Sequence, residues 1–486
     1  MENKSENKTI LSALGWKFLE RFGVQGSQFI LQIVLARLLS PEHYGVLSMM
    51  VIFTTLANVF IQRGFNTALI QNKDVTEDDY SSVFWVTMGI AGAIYAALFF
   101  SAPLIADFYE MPDLVAPFRV LCLVLFPGAV NSIQLAKVSR AMDFKKVFRS
   151  NVIAIIVAGV VGIVMAYMGA GLWALVAQNL INVVVACLVM NVTVKWRPRL
   201  VCCMARIKVL FSYGWKLLVS GLMDTLYQDL RSLVIGKKYK SNTLGFYDRG
   251  KQFPQFIINA VNSTVQSVML PAMSAKQDDK SQVKTMMRRS IMLSSFIIFP
   301  IMAGLAGVAE PLVRILLTDK WLPCVPYMQI YCLSLAFYPV NSCNLQAINA
   351  MGRSDVFLRL EVIKKLYGVA LLVGALVFFD SPIAIALTGV LTAFIGWFVN
   401  AFPNKKLVNY AYMEQIQDVL PALLVSLLMF GCVWTVTLLN IAPILQIALQ
   451  VVVGVVVYVA ASALLRIEAY KLLLNMAKPL LKKFKR

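Results

Sequence analysis

Two stretches decide the fold: GWKFLERFGVQGSQFILQ, from Gly15 to Gln32, and GWKLLVSGLMDTLYQDLR, from Gly214 to Arg231. In the first, Lys17, Arg21, Gln25, Gln28 and Gln32 follow one another at steps of four, four, three and four inside an otherwise apolar segment. At about 100° per residue they occupy roughly 80° of one helix face. Moved 199 positions on, the same spacing gives Lys216, Ser220, Asp224, Tyr227 and Arg231. Gly15-Trp16-Lys17 and Gly214-Trp215-Lys216 fix the register, which drifts by one residue to set Tyr44-Gly45 over Leu244-Gly245. The chain reads as a duplication in which both copies keep a polar, cationic face.

Working outward, the composition sets the class. At 59% hydrophobic and 14% charged over 486 residues, with a mean hydropathy of +0.72, the chain is too apolar for a soluble multidomain protein and reads as an all-α polytopic membrane protein. Runs of about 20 apolar residues, each able to cross a hydrocarbon core, predict fourteen spans near 11–37, 44–70, 82–106, 114–138, 147–168, 171–194, 208–235, 244–271, 286–309, 323–349, 356–379, 382–402, 416–439 and 443–465. The polar start, Met1 to Ile10, lacks the pattern of a cleaved signal, so the first helix is expected to act as its own membrane signal.

Net charge is +20, but its placement speaks against nucleic acid. With a cytoplasmic N-terminus, that side collects Lys4, Lys8, Lys73 and the clusters Lys137 to Arg149, Lys195 to Lys208, Lys276 to Arg289 and Arg353 to Lys365, then Lys405, Lys406 and the tail from Arg466. The other side holds far fewer, so both termini are predicted to be cytoplasmic. Lys237, Lys238 and Lys240 are the exception, in a predicted external loop. The tail, with Lys471, Lys478, Lys482, Lys483, Lys485 and Arg486 among leucines, reads as a basic interfacial helix on membrane lipids.

The repeat also orders the interior. Val130-Asn131-Ser132 and Gln134 return 210 positions later as Val340-Asn341-Ser342 and Asn344. The second span carries Thr55, Asn58, Gln62 and Asn66 on one face, with Arg63 close to it. The eighth span carries Gln252, Gln255, Asn259, Asn262 and Gln266. Six spans separate equivalent helices, so the halves share one orientation, related by an axis along the membrane normal. This predicts a lobe over 1–201, a second over 202–403, and two further spans with the tail over 404–486. Each Lys, Arg or Asp at the bilayer centre costs about 2.5–3.5 kcal/mol, so stripes of them imply a wet cavity. The amides suit hydroxyl-rich cargo, although Asn and Gln also serve as bonds between membrane helices.

Other chemistry is poorly represented. The eight cysteines form no CxxC pair and are expected to be reduced and without metal. There is no Walker loop, GxSxG, HExxH or dinucleotide fingerprint, so no cofactor or catalytic residue is expected and an ATP-driven pump is disfavoured. No predicted loop is long enough to hold the catalytic domain of a glycan polymerase or ligase. A multidrug antiporter is a second alternative, for which fewer cations would be expected.

The stretches FFSAPLIADFYEMPDL from Phe99, GLWALVAQNL from Gly171, LGFYDRGKQFPQ from Leu244, VMLPAMSAKQDD from Val268 and AEPLVRILLTDKWLPCVP from Ala309 resemble the polysaccharide-transporter branch of the multidrug/oligosaccharidyl-lipid/polysaccharide exporter superfamily. Within it the chain is similar to Wzx-type flippases of the colanic-acid-exporter kind. The resemblance implies a V-shaped pair of six-helix lobes around a central cavity. It also implies transfer of undecaprenyl-diphosphate-linked oligosaccharide from the cytoplasmic to the periplasmic leaflet. By position, Lys17, Arg21, Arg63, Lys216, Arg231 and Arg249 would face the diphosphate. Gln25, Gln28, Asn58, Gln62, Asn66, Asn131, Gln134, Tyr227, Gln255, Asn259, Asn262, Asn341 and Asn344 would face sugars. Glu20 and Asp224, on matched helices, are the candidates for coupling to H+ or Na+. Polysaccharide polymerase or assembly proteins are the expected partners.

Overall fold

The computed structural model describes residues 23–63, 65–72, 74–439 and 441–475, excluding the side chains of 205, 213 and 262–268. The described residues are helical and contain no strand. They fall into two compact units that meet in sequence at Gly245 and Phe246.

The first unit contains α1 (Gln25–Leu38), α2 (Pro41–Gln62), α3 (Phe65–Gln71), α4 (Glu77–Tyr109), α5 (Val115–Leu121), α6 (Leu125–Arg140), α7 (Phe144–Tyr167), α8 (Leu172–Val194), α9 (Met204–Lys238) and the start of α10 (Ser241–Ser274). Local chemistry sets their ends. Ser40 caps α2 by accepting from the His43 backbone N–H, with Pro41 at the first helical position. Thr76 and Asp79 form a reciprocal capping box on α4. The acidic first turn of α4 then gathers cations from three other segments. Glu77 meets Lys137 at 2.6 Å, Asp78 meets Arg199 at 3.2 Å, and the buried Asp79 meets Arg206 at 2.7 Å. Exposed pairs of this kind are worth only about 0.2–1 kcal/mol each; together they fix the entry of α9 beside α4.

At the other end of this unit the repeat becomes a contact. A Cβ on Gly45 would stand 1.8 Å from the Ser241 carbonyl oxygen, and one on Gly245 would stand 2.1 Å from that of Pro41. The first turns of α2 and α10 therefore touch backbone to backbone, an approach only glycine permits. This is why Tyr44-Gly45 and Leu244-Gly245 share a register.

The second unit holds the rest of α10, then α11 (Lys280–Gly307), α12 (Ala309–Leu317), a 3-10 turn (Asp319–Cys324), α13 (Val325–Ala336), α14 (Tyr338–Ala350), α15 (Ser354–Phe378), α16 (Pro382–Ala401), α17 (Asn404–Leu407), α18 (Tyr412–Thr437) and α19 (Pro443–Leu464). Two of its helix starts, Ser354 and Pro382, lie 210 residues after Phe144 and Leu172. The helices beyond the repeat are tied to α11. Arg288 reaches Asp418 at 2.8 Å and Glu468 at 3.0 Å, Lys284 reaches Glu414 at 2.6 Å, and the Tyr410 hydroxyl donates to Asp418 at 2.7 Å.

Nine helices among the described residues are long and apolar enough to cross a membrane, so the chain is a multi-pass membrane protein. On α19, Val451, Val452, Val455, Val456 and Val459 are all exposed, a surface suited to lipid rather than water. The nine fall short of the fourteen expected, and the reasons are physical. The spans expected at 208–235 and 244–271 are helices of 35 and 34 residues, α9 and α10, but carry the polar stripes. The span at 323–349 is broken at Phe337 into α13 and α14. The span at 356–379 is α15, with Glu361, Lys364 and Lys365 inside it, and much of 11–37 lies outside the described residues.

Candidate functional site

Each unit encloses a polar cavity. In the first, a cavity of about 230 Å³ lies among α2, α6, α7 and α8. Its polar lining is Asn58, Gln62, Asn131, Ser132, Asn151 and Asn182, with no charged residue. Asn58 donates to the Thr54 carbonyl at 2.9 Å and accepts from Gln62 at 3.5 Å. A Cβ at Gly128 would sit 3.2 Å from the Asn58 Oδ1, so the glycine leaves that amide room. The Asn131 Oδ1 is buried without a hydrogen-bond partner. An unmet buried acceptor is costly.

The second unit holds a larger cavity of about 510 Å³ among α13, α14, α15 and α16. The two linings correspond through the 210-residue repeat: Val124 with Ser334, Gly128 with Tyr338, Asn131 with Asn341, Ser132 with Ser342, Leu135 with Leu345, Asn151 with Glu361, Asn182 with Thr392, Val183 with Ala393 and Ala186 with Gly396. Only Asn58 and Gln62 of the first lining lack a counterpart in the second. Two cavities at equivalent positions in both halves are a property of the repeat rather than a packing accident. Their chemistry has diverged. Glu361 replaces Asn151, and Lys364 stands where the first half has Ala154, so the second cavity contains an ion pair of 2.5 Å with side chains 26% and 18% exposed. Asn341 donates to the Ala393 carbonyl at 3.1 Å and accepts from Asn400 at 2.8 Å.

The expected site residues separate into several groups. Asn58, Gln62, Asn131 and Asn341 line these cavities. Asn66, Gln134 and Asn344 do not; they bond helices together. Asn66 donates to the Ser132 carbonyl at 3.2 Å and Gln134 to Asn191 at 3.3 Å. Asn344, 0% exposed, exchanges bonds with Gln415 and accepts from Asn404 at 2.8 Å. Arg249 is also set apart, because it is 5% exposed, donates to Gln252 and stacks 5.2 Å from the Trp321 ring centre.

On α9, the Arg63 side chain lies against Gly221, where a Cβ would meet its Cδ at 2.6 Å. Gly221 lies about 60° around the helix from Asp224, so Arg63 stands beside the stripe, next to its Asp224 edge. Lys216 is exposed, Asp224 half-buried, and the half-buried Arg231 lies 5.9 Å from the Tyr227 ring centre. Gln25, Gln28 and Gln255 are half-buried and Asn259 exposed, and none lines these cavities. Lys17, Glu20 and Arg21 lie outside the described residues, as does the side chain of Asn262. Sequence reasoning missed Asn151, Asn182, Glu361 and Lys364; carrying the 210-residue offset past Asn344 into the next two helices pairs Asn151 with Glu361 and Asn182 with Thr392, whereas Lys364, opposite Ala154, gives no such signal.

Two units of membrane-crossing helices, each with a polar cavity, are a fold shared with solved membrane proteins. The structure titled "Lipid II flippase MurJ, inward closed conformation" aligns with a TM-score of 0.76 at 15% identity, over 94% of this chain and 98% of that one. An inward-facing multidrug resistance MATE family transporter of the MOP superfamily aligns at 0.60 and 15% identity, over 81% and 99%. More specifically, the chain belongs to the family described as polysaccharide biosynthesis protein, whose match spans residues 34–326, more than half of its length. Relatives include the succinoglycan biosynthesis transport protein ExoT of Rhizobium meliloti, 23% identical over 72% of this chain and 71% of that protein. The teichuronic acid biosynthesis protein TuaB of Bacillus subtilis is 22% identical over 93% and 95%. The lipopolysaccharide biosynthesis protein WzxC of Escherichia coli is 21% identical over 74% and 73%. The family expected from the motifs is the family found.

Proposed function

We propose that this protein is a flippase, carrying a lipid-linked oligosaccharide from the cytoplasmic to the periplasmic leaflet of a bacterial inner membrane. The observation that carries the reading is the pair of repeat-related cavities, lined by amides and hydroxyls, in a family whose members are named for polysaccharide synthesis and transport. A sugar hydroxyl moved into hydrocarbon without a partner costs several kcal/mol, and amide linings replace the water it loses. Lys17, Arg21, Arg63, Lys216 and Arg231 hold the diphosphate; Glu20 and Asp224 are the candidates for ion coupling. Fourteen crossings with both termini cytoplasmic, in lobes 1–201 and 202–403 with an appended 404–486, account for the charge distribution. The lobes alternate access, and a polymerase consumes the product.

The test is a reconstituted assay in which proteoliposomes carry a fluorescent undecaprenyl-diphosphate oligosaccharide and an added reagent quenches only the outer leaflet. Protein-dependent loss of the protected fraction, abolished in Arg63→Ala with Arg231→Ala, is expected. Transfer equal to that of empty vesicles refutes the reading. If deletion in cells changes drug susceptibility and leaves surface glycan intact, the multidrug alternative replaces it.

A further inference from the structure

The segment joining α8 to α9, KWRPRLVCC from Lys195 to Cys203, is irregular, yet its backbone is held as closely as that of a buried element. The Arg199 N–H donates to the Ser81 hydroxyl oxygen at 3.0 Å, and the Cys203 N–H to that of Ser82 at 2.9 Å. The Arg199 carbonyl accepts from the Trp85 indole N–H at 2.9 Å, and the Val201 carbonyl from the Ser82 hydroxyl at 3.4 Å. Three side chains of α4 thus serve four backbone groups of one short stretch. A loop in water finds such partners in the solvent, whereas close to hydrocarbon the protein must supply them.

The same side chains give the depth. Helix α4 has 33 residues, so at about 50 Å long, and centred on a hydrocarbon core of about 30 Å, it extends about 10 Å beyond that core at each end. Ser81, Ser82 and Trp85 follow its first residue, Glu77, by four, five and eight positions, which is about 6–12 Å along the axis. The stretch from Arg199 to Cys203 therefore lies at the boundary between headgroups and acyl chains, the level at which Trp rings concentrate. Trp85 is itself exposed there.

The outward side of the loop fits that boundary. Leu200 is 90% exposed and Met204 62%, with Val201, Cys202 and Cys203 exposed between them. Five consecutive exposed apolar residues are a fault on a surface that faces water and ordinary on one that faces lipid. Lys195, Arg197 and Lys208 are exposed around them, while Arg199 and Arg206 are engaged by Asp78 and Asp79 of α4.

We propose that this loop is an interfacial lipid site, with Leu200 and Met204 among the acyl chains and Lys195, Arg197 and Lys208 against the phosphates of anionic phospholipids. Cations on both sides of an apolar wedge match the headgroups and chains of such a lipid surface. The proposal rests on the chain crossing a membrane and not on the transport reading, so failure of the flipping assay leaves it standing.

The test uses the full-length protein with Cys202→Ser and Cys203→Ser, carrying the fluorophore NBD through Leu200→Cys, a position so exposed that the label displaces no packing. The parent that keeps Leu200 supplies the background from the remaining cysteines. In phosphatidylcholine vesicles, doxyl-labelled chains quench the label from within the bilayer and iodide quenches it from water. Quenching by doxyl lipid and protection from iodide are expected, whereas the same label through Asp278→Cys, in the exposed loop before α11, is expected to show the reverse. Doxyl-phosphatidylglycerol is expected to quench more than doxyl-phosphatidylcholine, and this preference to fall by about fivefold for each cation removed in Lys195→Gln, Arg197→Gln and Lys208→Gln. Iodide access equal to that of the Asp278→Cys control, with no doxyl quenching, overturns the proposal. Equal quenching by the two lipids overturns the recognition of anionic headgroups.

Discussion

The diverged cavity of the second unit gives a prediction for which the first unit supplies the control. Glu361 and Lys364 stand at 2.5 Å on one helix. At an effective dielectric near 20, charges at that distance attract by about 6–7 kcal/mol. Taking both out of water returns most of this, and their remaining exposure of 26% and 18% screens part of the rest. A net coupling of about 1–3 kcal/mol is expected. Lys364→Ala leaves an uncompensated carboxylate, and Glu361→Asn leaves an uncompensated ammonium, so each alone destabilises. Together they reproduce Asn151 and Ala154 of the first half, and the double variant is expected to lose less than the sum of the singles by that coupling. Denaturant unfolding of the four proteins in mixed micelles, followed by tryptophan fluorescence, measures it. Additivity within about 0.5 kcal/mol would refute the claim that the pair is one unit; a double variant worse than the sum would refute its sign.

Gly45→Ala and Gly245→Ala each place a methyl within 1.8 and 2.1 Å of a carbonyl oxygen. Each is expected to cost about 1–3 kcal/mol and lower the thermal midpoint in detergent, whereas Gly89→Ala, with nothing within 4 Å, is expected to leave it unchanged. Asn131→Leu and Asn341→Leu remove a cavity amide in each half. Each is expected to slow oligosaccharide flipping about tenfold or more at unchanged membrane insertion, while Gln134→Leu is expected to act on stability first. Asp279, in the loop before α11, accepts from the backbone and side-chain N–H of Gln282, which hold its carboxyl below the ordinary carboxylate range. Because its pKa is lowered on folding, its support for the first turn of α11 is complete above about pH 4. That support is lost as pH falls through the lowered value. Hydrogen exchange at Ser281 and Gln282, corrected for intrinsic pH dependence, is expected to speed up there in wild type and not in Asp279→Ala.

The class of the protein and its duplication were legible in the sequence because both depend on repeated simple signals, namely apolar length and helical spacing. The site was half legible. Polarity within a span shows that a side chain avoids lipid, but a cavity and a neighbouring helix offer the same escape. Asn131 and Gln134 are one turn apart in sequence, yet only Asn131 lines a cavity, while Gln134 bonds Asn191. Arg249 could not be placed from sequence because Trp321, which covers it, lies 72 positions away. Lys364 falls within the cation cluster from Arg353 to Lys365 and Glu361 beside it goes unread, since charge near a predicted boundary looks the same whether it faces a loop or a cavity.

The repeat resolves that ambiguity where composition cannot. A polar residue that bonds helices in one half can be replaced in the other by any residue that completes the contact, as Gln134 is by Asn344, and both remain buried in different networks. A cavity position answers to a different demand: its neighbours must leave space. Ala186 and Gly396 keep that position small in both linings, although Gly128 gives way to Tyr338, while the polar partners change from Asn151 to Glu361 and from Asn182 to Thr392. Retained space with changing polarity is what two cavities from one ancestor would carry if each meets a different part of the cargo. The uncharged first cavity can bond only by donor and acceptor geometry. The ion pair of the second can be opened by an anion that competes for Lys364, which releases Glu361 at the same moment.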